Sequence, residues 1–357
     1  MTSILSSIII SHLLSILILA LAVYKWKSRN GKEQPFVSVV IAAHNEIDNL
    51  KNLIPELLKQ EYPRFEIIVS LDRSTDGSGE YLAQHKNKIS YIEIQSTPTG
   101  WDHKKFALSE GIKRAQGDWI VLTDADCLPY STSWLRSISK EISPKTHLLI
   151  GVSPIRANDS IISKYAQFEG FMTYFLYTSL AILHRPYMAV GRNMAIRKSF
   201  WEEKKGYESI KGTKGGDDDL FIQLNASKQN TALFIGGKDS LSYTWPKESW
   251  SQYWMQKIRH YSVSSFYKRD STLILSCFHL LHSSSIIGLG LLSTQSFFLP
   301  IILFYLFIKL ASYRFVASKI GAGFNYILFP FVEILYAIIT PVLGIRSQLK
   351  KDIKWKN

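Results

Sequence analysis

The pattern of apolar and polar residues divides the chain into an apolar start, a mixed middle and an apolar final third. Residues 3–24 contain no Asp, Glu, Lys or Arg, and Lys25 is the first charged side chain after them. A run of about 20 apolar residues is long enough to cross the hydrocarbon core of a bilayer. A signal peptide is the alternative, but a basic start and a small-residue cleavage site are not evident. We therefore predict a transmembrane anchor over residues 1–24.

In the middle of the chain, short apolar runs alternate with amphipathic segments. The pattern predicts strands at residues 36–43, 65–71, 90–95 and 119–122, and helices at 49–60 and 104–115. Strands that alternate with helices in this way are typical of an α/β domain with a parallel sheet. A buried or interfacial helix is expected at 160–182, followed by a strand and loop at 189–197.

The chain becomes strongly apolar after Arg269. Residues 272–292, 297–312 and 324–344 form three long apolar stretches, which we interpret as membrane helices, the second being short for a span. Glu333 lies inside the third stretch, where an acid is expected to be buried against a neighbouring helix or to be functional. The predicted domains are an anchor at 1–24, a catalytic domain at 35–269, C-terminal membrane helices at 270–345 and a basic tail at 346–357.

Charge refines this organisation. The net charge is +13, and many Lys and Arg residues lie beside apolar stretches, as in the cytoplasmic flanks of membrane helices, so we expect a bilayer and no nucleic acid as partner. Four basic residues follow the anchor and place the middle domain in the cytoplasm: Lys25, Lys27, Arg29 and Lys32. Three C-terminal crossings would then place the tail outside, although its basic residues favour the inside: Arg346, Lys350, Lys351, Lys354 and Lys356. One re-entrant or interfacial stretch would resolve this conflict.

The candidate chemistry begins where the predicted strand at 119–122 ends. Asp124 and Asp126 follow this strand, and open α/β sheets bind ligands at the carboxyl ends of their strands. Two adjacent carboxylates suit a hard divalent cation shared with substrate phosphates. Cys127 and Cys277 are the only cysteines, so the sequence offers no disulfide framework and no cysteine-based zinc site.

Further motifs occur in a fixed order around this pair. They are Ala42-Ala43-His44-Asn45-Glu46, Asp72-Arg73-Ser74-Thr75-Asp76-Gly77, Lys104 before Ala107-Leu108, Gly216-Asp217-Asp218-Asp219-Leu220 and Gln256-Lys257-Ile258-Arg259-His260. From about Pro35 to Lys268 the ordered set resembles the membrane-bound family 2 glycosyltransferases. The resemblance implies a GT-A fold, in which a Rossmann-like nucleotide-binding half is fused to an acceptor half. It also implies a nucleotide-diphospho-sugar donor, with a UDP-sugar as first choice, a Mg²⁺ or Mn²⁺ ion, and inversion at the anomeric carbon.

The resemblance also implies roles for individual residues. Ala42 and Glu46 match residues of the loop that lies against the nucleotide. Asp72 matches the acid that recognises the nucleotide base, and Lys104 matches the lysine near the diphosphate. Asp124 and Asp126 match the metal-binding Asp-x-Asp pair, with Asp126 the more direct ligand. Asp217 matches the general base, with Asp218 in reserve and Asp219 as a local cap. The remaining matches are Gln256, Arg259 and His260 for the Gln-x-x-Arg-Trp motif, and residues 191–197 for a segment on the acceptor side.

Two departures and several alternatives stay open. Gly216 stands where the family usually has Glu, and His260 stands where it usually has Trp, which puts the stacking platform for an acceptor sugar in doubt. His44 is expected to make a loop hydrogen bond and not to bind metal.

We favour single transfer to a membrane-proximal, lipid-linked acceptor hydroxyl. The alternatives are a processive polysaccharide synthase and a non-catalytic nucleotide-sugar-binding membrane protein, while a transporter is weak because no internal repeat is visible.

Overall fold

The computed structural model describes residues 2–85 and 87–349, which divide into two compact units. The sheet unit consists of the described residues of 27–156 and 184–245. The helical unit consists of the described residues of 1–26, 157–183 and 246–357. The basic tail beyond residue 349 lies outside the described residues, and the limits 35–269 for a catalytic domain stay a prediction.

The sheet unit contains nine strands and six helices among its described residues. The strands are β1 (Val37–Ala43), β2 (Phe65–Asp72), β3 (Ser90–Ile94), β4 (Trp119–Leu122), β5 (Cys127–Pro129), β6 (Leu148–Ile150), β7 (Met194–Arg197), β8 (Thr231–Leu233) and β9 (Ser242–Thr244). The helices are α2 (Ile47–Leu58), α3 (Ser78–Ala83), α4 (His103–Arg114), α5 (Trp134–Ser139), α7 (Lys198–Glu203) and α8 (Asp219–Asn225). All four predicted strands and both predicted helices of this region are present, with ends shifted by no more than two residues.

Seven strands form one sheet in the order β3-β2-β1-β4-β7-β6-β8. Strands β1 to β4 are parallel, whereas β7 runs antiparallel to both β4 and β6. The chain builds outward from β1 to β2 and β3, and then returns to place β4 on the other side of β1. Such a reversal of strand order opens a crevice at the carboxyl ends of the two strands, which is where α/β sheets bind ligands.

The apolar runs form strands because both faces of the central sheet are covered. Val39 and Ile41 in β1, Val69 in β2 and Val121 in β4 are fully buried in one core cluster, to which α2 and α5 contribute Leu53 and Trp134. Buried parallel strands need apolar side chains on both faces, which explains their near-continuous apolar sequence. This core fixes the strand ends that carry the candidate site.

The helical unit contains six helices among its described residues. They are α1 (Thr2–Lys25), α6 (Ile161–Ile182), α9 (Trp250–Ser262), α10 (Arg269–Leu292), α11 (Leu299–Ile320) and α12 (Phe329–Leu349). The helices at residues 3–25, 269–292, 296–320 and 329–347 are long and apolar enough to cross a membrane. The predicted N-terminal anchor and three C-terminal membrane helices therefore all correspond to candidate spans.

The second C-terminal helix is longer than the apolar pattern predicted. The prediction stopped at Ser312, whereas α11 continues to Ile320. Arg314 and Lys319 interrupt the apolar run, but both side chains are exposed. Long basic side chains can extend away from an apolar helix body, so their charges do not end the helix.

Polar side chains buried inside the helical unit connect the four candidate spans. Lys309 of α11 forms an ion pair with Glu333 of α12, and both are almost completely buried. The hydroxyl of Tyr305 lies 2.7 Å from His12 Nδ1 of α1, and Ser285 Oγ of α10 lies 2.9 Å from the same nitrogen. Glu333 therefore makes a helix–helix contact, which is the first of the two possibilities given by the sequence.

This ion pair generates a stability prediction. Lys309→Met leaves the Glu333 carboxylate buried without its partner, so we expect a loss of about 3–5 kcal/mol of folding stability. The double variant Lys309→Met/Glu333→Leu removes both charges and should recover most of this loss. The measurement is the unfolding midpoint of the detergent-purified full chain, with Arg314→Met as a control at an exposed position of the same helix. Equal midpoints for the single and the double variant would contradict the coupling.

Candidate active site

The candidate site lies at the carboxyl ends of β1, β2 and β4. His44 follows β1, Asp72 ends β2, and Asp124 comes two residues after β4. These strands are adjacent and parallel, so their ends meet at one edge of the sheet. The reversal of strand order falls between β1 and β4, so the predicted donor-binding residues at the ends of these strands lie at the crevice.

The loops after β1 and β2 are tied together by their own side chains. Asn45 adopts a left-handed backbone (φ +52°), and its Oδ1 accepts a hydrogen bond of 2.8 Å from the Thr75 amide. Asp76 Oδ2 accepts a bond of 2.8 Å from the amide of Ile47 at the start of α2. His44 Nδ1 contacts the Asp72 carbonyl, so the predicted loop hydrogen bond of His44 is confirmed. These contacts hold the two loops as one rigid wall.

The side chains predicted to contact the nucleotide lie on this wall. The buried carboxylate of Asp72 accepts two hydrogen bonds from Arg73, at 2.9 and 3.0 Å. Glu46 precedes α2 and accepts a bond of 2.5 Å from Asn49, while Ala42 is half-buried near the end of β1. A paired, bidentate carboxylate keeps a fixed orientation, as recognition of a base edge would require.

An ammonium group lies between two carboxylates at the centre of the site. Lys104 Nζ, in the first turn of α4, is 2.9 Å from Asp124 Oδ1 and 3.0 Å from Asp217 Oδ2. Lys104 and Asp217 are largely buried, whereas about a third of the Asp124 side chain is exposed. The lysine therefore joins the Asp-x-Asp segment to the candidate base, two segments far apart in sequence.

Burial and charge shift the titration of this cluster. Burial opposes the charged form of Lys104, but the carboxylates of Asp124, Asp217 and Asp218 prevail and hold its pKa well above its usual value. Burial, together with the charge of Asp217, raises the pKa of the Asp218 carboxyl. Lys104 is therefore positively charged at neutral pH and offsets the repulsion between the acids around it.

The segment before Asp217 has an unusual backbone. Gly215 and Gly216 have φ values of +75° and +80°, which only glycine adopts without strain. This geometry suits the glycine at 216, where the resemblance led us to expect Glu. The buried Lys105 ammonium donates to the carbonyls of Thr213 and Gly215, and so fixes the same segment.

Asp218 is held by backbone amides. Its Oδ2 accepts a bond of 2.7 Å from the Gly191 amide, and its Oδ1 accepts one of 2.8 Å from the amide of Asp219, where α8 begins. A Cβ at Gly191 would lie 3.2 Å from Asp217 Oδ2 and 3.4 Å from Asp218 Oδ2. Glycine at 191 therefore allows the backbone to approach both acids. Both carboxylate oxygens of Asp218 thus accept hydrogen bonds from backbone amides, whereas the Asp217 carboxylate contacts Lys104.

The Asp-x-Asp segment offers ligands to a divalent cation. One ligand atom each from Asp124, Asp126 and Cys127 can lie within 4.8 Å of one another. Burial, followed by the charges of Asp126 and Asp124, raises the pKa of the Cys127 thiol well above its usual value. The thiol lies 3.5 Å from Asp126 Oδ1 and acts as a donor to it. The two carboxylates therefore fit a hard cation, whereas a neutral thiol adds no ligand of the kind Mg²⁺ or Mn²⁺ prefers.

The segment that the sequence placed on the acceptor side proves to be strongly tied into the fold. Asn193 is completely buried, and its Nδ2 donates to the carbonyls of Val152 and Ser240 at 2.6 and 2.9 Å. Arg197 donates to two carbonyls of the loop before β6, and Arg192 donates to Ser153 at 2.7 Å. These contacts position Gly191 and hence Asp218, a structural role that the motif alone did not reveal.

The remaining predicted residues lie in the helical unit. Gln256, Arg259 and His260 are on α9, where Gln256 and Arg259 are half-buried and His260 is exposed. Lys257 of the same helix forms an ion pair with the buried Glu169 of α6. Their part in binding stays a prediction.

Comparison with known proteins identifies the family. Residues 38–203 match the family model described as Glycosyl transferase family 2. The chain therefore contains a family 2 glycosyltransferase domain. The matched region contains nearly all of β1, together with β2 to β4, α4 and the Asp-x-Asp segment, and it confirms the resemblance over these residues. The motifs at 216–220 and 256–260 lie beyond the match, and their roles stay predictions.

Relatives and solved structures agree with this assignment. The probable glycosyltransferase YdaM of Bacillus subtilis is 26% identical over 255 residues, which cover 66% of this chain and 56% of YdaM. The poly-beta-1,6-N-acetyl-D-glucosamine synthase of Staphylococcus aureus is 27% identical over 143 residues, 39% of this chain and 34% of the synthase. The chain thus spans about half of the first relative's length and a third of the second's.

The GT-A fold is confirmed by a solved structure. The mannosyltransferase PcManGT from Pyrobaculum calidifontis, in complex with GDP-Man and Mn²⁺, superposes with a TM-score of 0.58. The superposition covers 96% of this chain and 99% of PcManGT at 17% sequence identity. The two proteins therefore share a fold over nearly their whole lengths, although their sequences have diverged widely.

Proposed function

We propose that this glycosyltransferase moves a sugar, with inversion, from a nucleotide-diphospho-sugar to a hydroxyl of a membrane-proximal, lipid-linked acceptor. The contact of Lys104 with both Asp124 and Asp217 is the observation that carries the proposal. It joins the segment suited to a metal and diphosphate with the acid suited to deprotonating an acceptor. Four candidate membrane spans support an acceptor at the bilayer.

The proposed reaction is a single displacement. Asp217 takes the proton of the acceptor hydroxyl, the acceptor oxygen bonds to the anomeric carbon, and the bond from that carbon to the diphosphate breaks. A carboxylate positioned beside a weak nucleophile provides general-base catalysis of this kind. Attack from the face opposite the leaving group inverts the anomeric centre. Lys104 lies where its charge can stabilise the departing diphosphate.

We propose that Asp124 and Asp126 hold a Mg²⁺ or Mn²⁺ ion. Such an ion would neutralise charge on the diphosphate. The oxygen ligands fit, and the structurally similar PcManGT was solved with GDP-Man and Mn²⁺. We assign the Asp72 wall, with Ala42 and Glu46, to the nucleoside, and we retain UDP as the first candidate nucleotide. Gln256, Arg259 and His260 of α9 are assigned to the diphosphate and acceptor.

A processive synthase is the second candidate. The similarity to a poly-beta-1,6-N-acetyl-D-glucosamine synthase favours it, although the match covers only 39% of this chain. The length of the product distinguishes the two, since single transfer gives one added sugar and processive transfer gives a polymer. We set the non-catalytic alternative aside because loss of an acid would favour it, and all the acids that the proposed chemistry needs are present: Asp72, Asp124, Asp126 and Asp217.

The metal assignment is tested by Asp126→Asn. We expect turnover to fall about a hundredfold or more, because the diphosphate loses part of its counter-charge. Calorimetry should show weaker nucleotide binding that no longer depends on manganese. Asp118→Asn is the matched control, since this exposed acid precedes β4 at the opposite end of the same strand. If Asp126→Asn still binds nucleotide in a manganese-dependent way, the pair is only a turn.

The base assignment is tested by three single variants, Asp217→Asn, Asp218→Asn and Asp219→Asn. We expect Asp217→Asn to lower kcat by about 10²–10⁴ while nucleotide affinity, measured by calorimetry, persists. Asp218→Asn should mainly lower the unfolding midpoint, because its carboxylate anchors the Gly191 amide. If Asp218→Asn is inactive and Asp217→Asn is active, the general base is Asp218. If all three variants are active, none of these aspartates is the general base.

We propose that the sheet unit faces the cytoplasm, on the basis of the four basic residues after α1. Lys88→Cys, in a Cys277→Ser background, should react with an impermeant thiol reagent only after permeabilisation, since Lys88 is exposed. Gln295→Cys, exposed between α10 and α11, should react in intact cells and is the positive control. Labelling of Lys88→Cys in intact cells would reverse the orientation.

A further inference from the structure

Two short strands beside the Asp-x-Asp segment carry an exposed group of aromatic side chains. Strands β5 and β9 pair antiparallel, with Cys127 opposite Thr244 and Leu128 opposite Tyr243. Side chains alternate between the faces of a strand, so Tyr243 and Trp245 lie on one face with Leu128 and Tyr130. We call Tyr130, Tyr243 and Trp245 the aromatic platform.

The aromatic platform is unusually exposed for this unit. Tyr130 and Trp245 are 48% and 47% exposed. Among the described residues of the sheet unit, Leu224 is the only other large apolar side chain with comparable exposure. Large exposed aromatic groups that cluster together mark binding surfaces more often than isolated ones do. Two of the three exposed large side chains therefore fall on one small sheet.

A guanidinium group orders the aromatic platform. The Arg156 guanidinium carbon lies 4.7 Å from the ring centre of Trp245 and 5.0 Å from that of Tyr243. Arg156 Nη1 also donates a hydrogen bond of 2.9 Å to the Tyr243 hydroxyl. The backbone of Arg156 is fixed as well, because its amide donates to the Thr244 carbonyl at 2.8 Å. The rings and the donor group are thus held in place before any ligand arrives.

The aromatic platform adjoins the proposed metal ligands. Thr244 Oγ1 donates a hydrogen bond of 3.2 Å to the Asp126 carbonyl. Cys127 is paired with Thr244, so Asp126 and Trp245 are the next positions along the two strands. A ligand on the aromatic platform would therefore lie beside the segment where the donor sugar is expected.

We propose that the aromatic platform binds a pyranose ring of the acceptor glycan, an inference that rests on the proposed function. A pyranose has an apolar face of C–H groups and a rim of hydroxyls. An aromatic ring can pack against the C–H face, and a guanidinium, with five N–H donors, can donate hydrogen bonds to the hydroxyls. The neighbouring Asp126 favours a glycan over lipid as occupant, since sugar transfer takes place beside the Asp-x-Asp segment.

The test measures glycan binding directly, without turnover. Trisaccharides of glucose, mannose and N-acetylglucosamine are titrated against the full chain in nanodiscs, and their dissociation constants are determined by ligand-observed NMR. We expect at least one to bind, Trp245→Ala to weaken it about tenfold, and Trp245→Phe to retain most of the affinity. Leu224→Ala, an equally exposed apolar site, is the control and should bind normally. Nucleotide affinity with Mn²⁺ should be unchanged in all three variants.

Three results would overturn this proposal. The first is that none of the trisaccharides binds, and the second is that Trp245→Ala binds with unchanged affinity. The third is quenching of the Trp245 fluorescence by brominated lipids. The last result, obtained by comparing the wild type with Trp245→Phe, would assign the aromatic platform to the bilayer. Failure of the proposed function is distinguishable, because it would appear as missing sugar transfer and nucleotide binding, whatever Trp245→Ala does to glycan affinity.

Discussion

The site depends on one electrostatic constraint, which is that several acids must share a small space. Two like charges 4 Å apart repel by about 4 kcal/mol at an effective dielectric constant of 20. The Lys104 ammonium lies within 3.0 Å of both the Asp124 and the Asp217 carboxylates and offsets part of this repulsion. A proposed metal ion at Asp124 and Asp126 would offset more. The negative charges of the site are therefore partly balanced by the lysine that lies among them.

The surrounding backbone is arranged so that this cluster can form. Gly215 and Gly216 take left-handed conformations before Asp217, and Lys105 binds the carbonyls of the same segment. Gly191 brings its amide to Asp218 where a side chain would be tightly confined. Two amide donors thereby compensate the charge of Asp218, while the neighbouring Asp217 contacts Lys104. Adjacent aspartates in the sequence thus acquire different roles through their backbone environment.

Much of the sheet could be predicted from the sequence because its signals are local. The apolar runs of β1, β2 and β4 and the amphipathic pattern of α4 are visible within single segments, and the ordered motifs identify the family. The pairing of β5 with β9 could not be predicted, since each strand has three residues and they lie more than 100 positions apart. The bond from Gly191 to Asp218 likewise joins separate segments. The end of α11 was wrong because exposed Arg314 and Lys319 look like the end of an apolar span.

The central claim is that Lys104, Asp124, Asp126 and Asp217 form one metal-dependent catalytic site for a nucleotide-sugar, and a donor screen tests it most directly. Membranes containing the wild-type chain are incubated with UDP-, GDP- and dTDP-sugars, and nucleotide release is measured with manganese and with a chelator. The account predicts release from one nucleotide class that requires manganese and is lost in the chelator. Release that is equal in the chelator, or none from any donor, would contradict it.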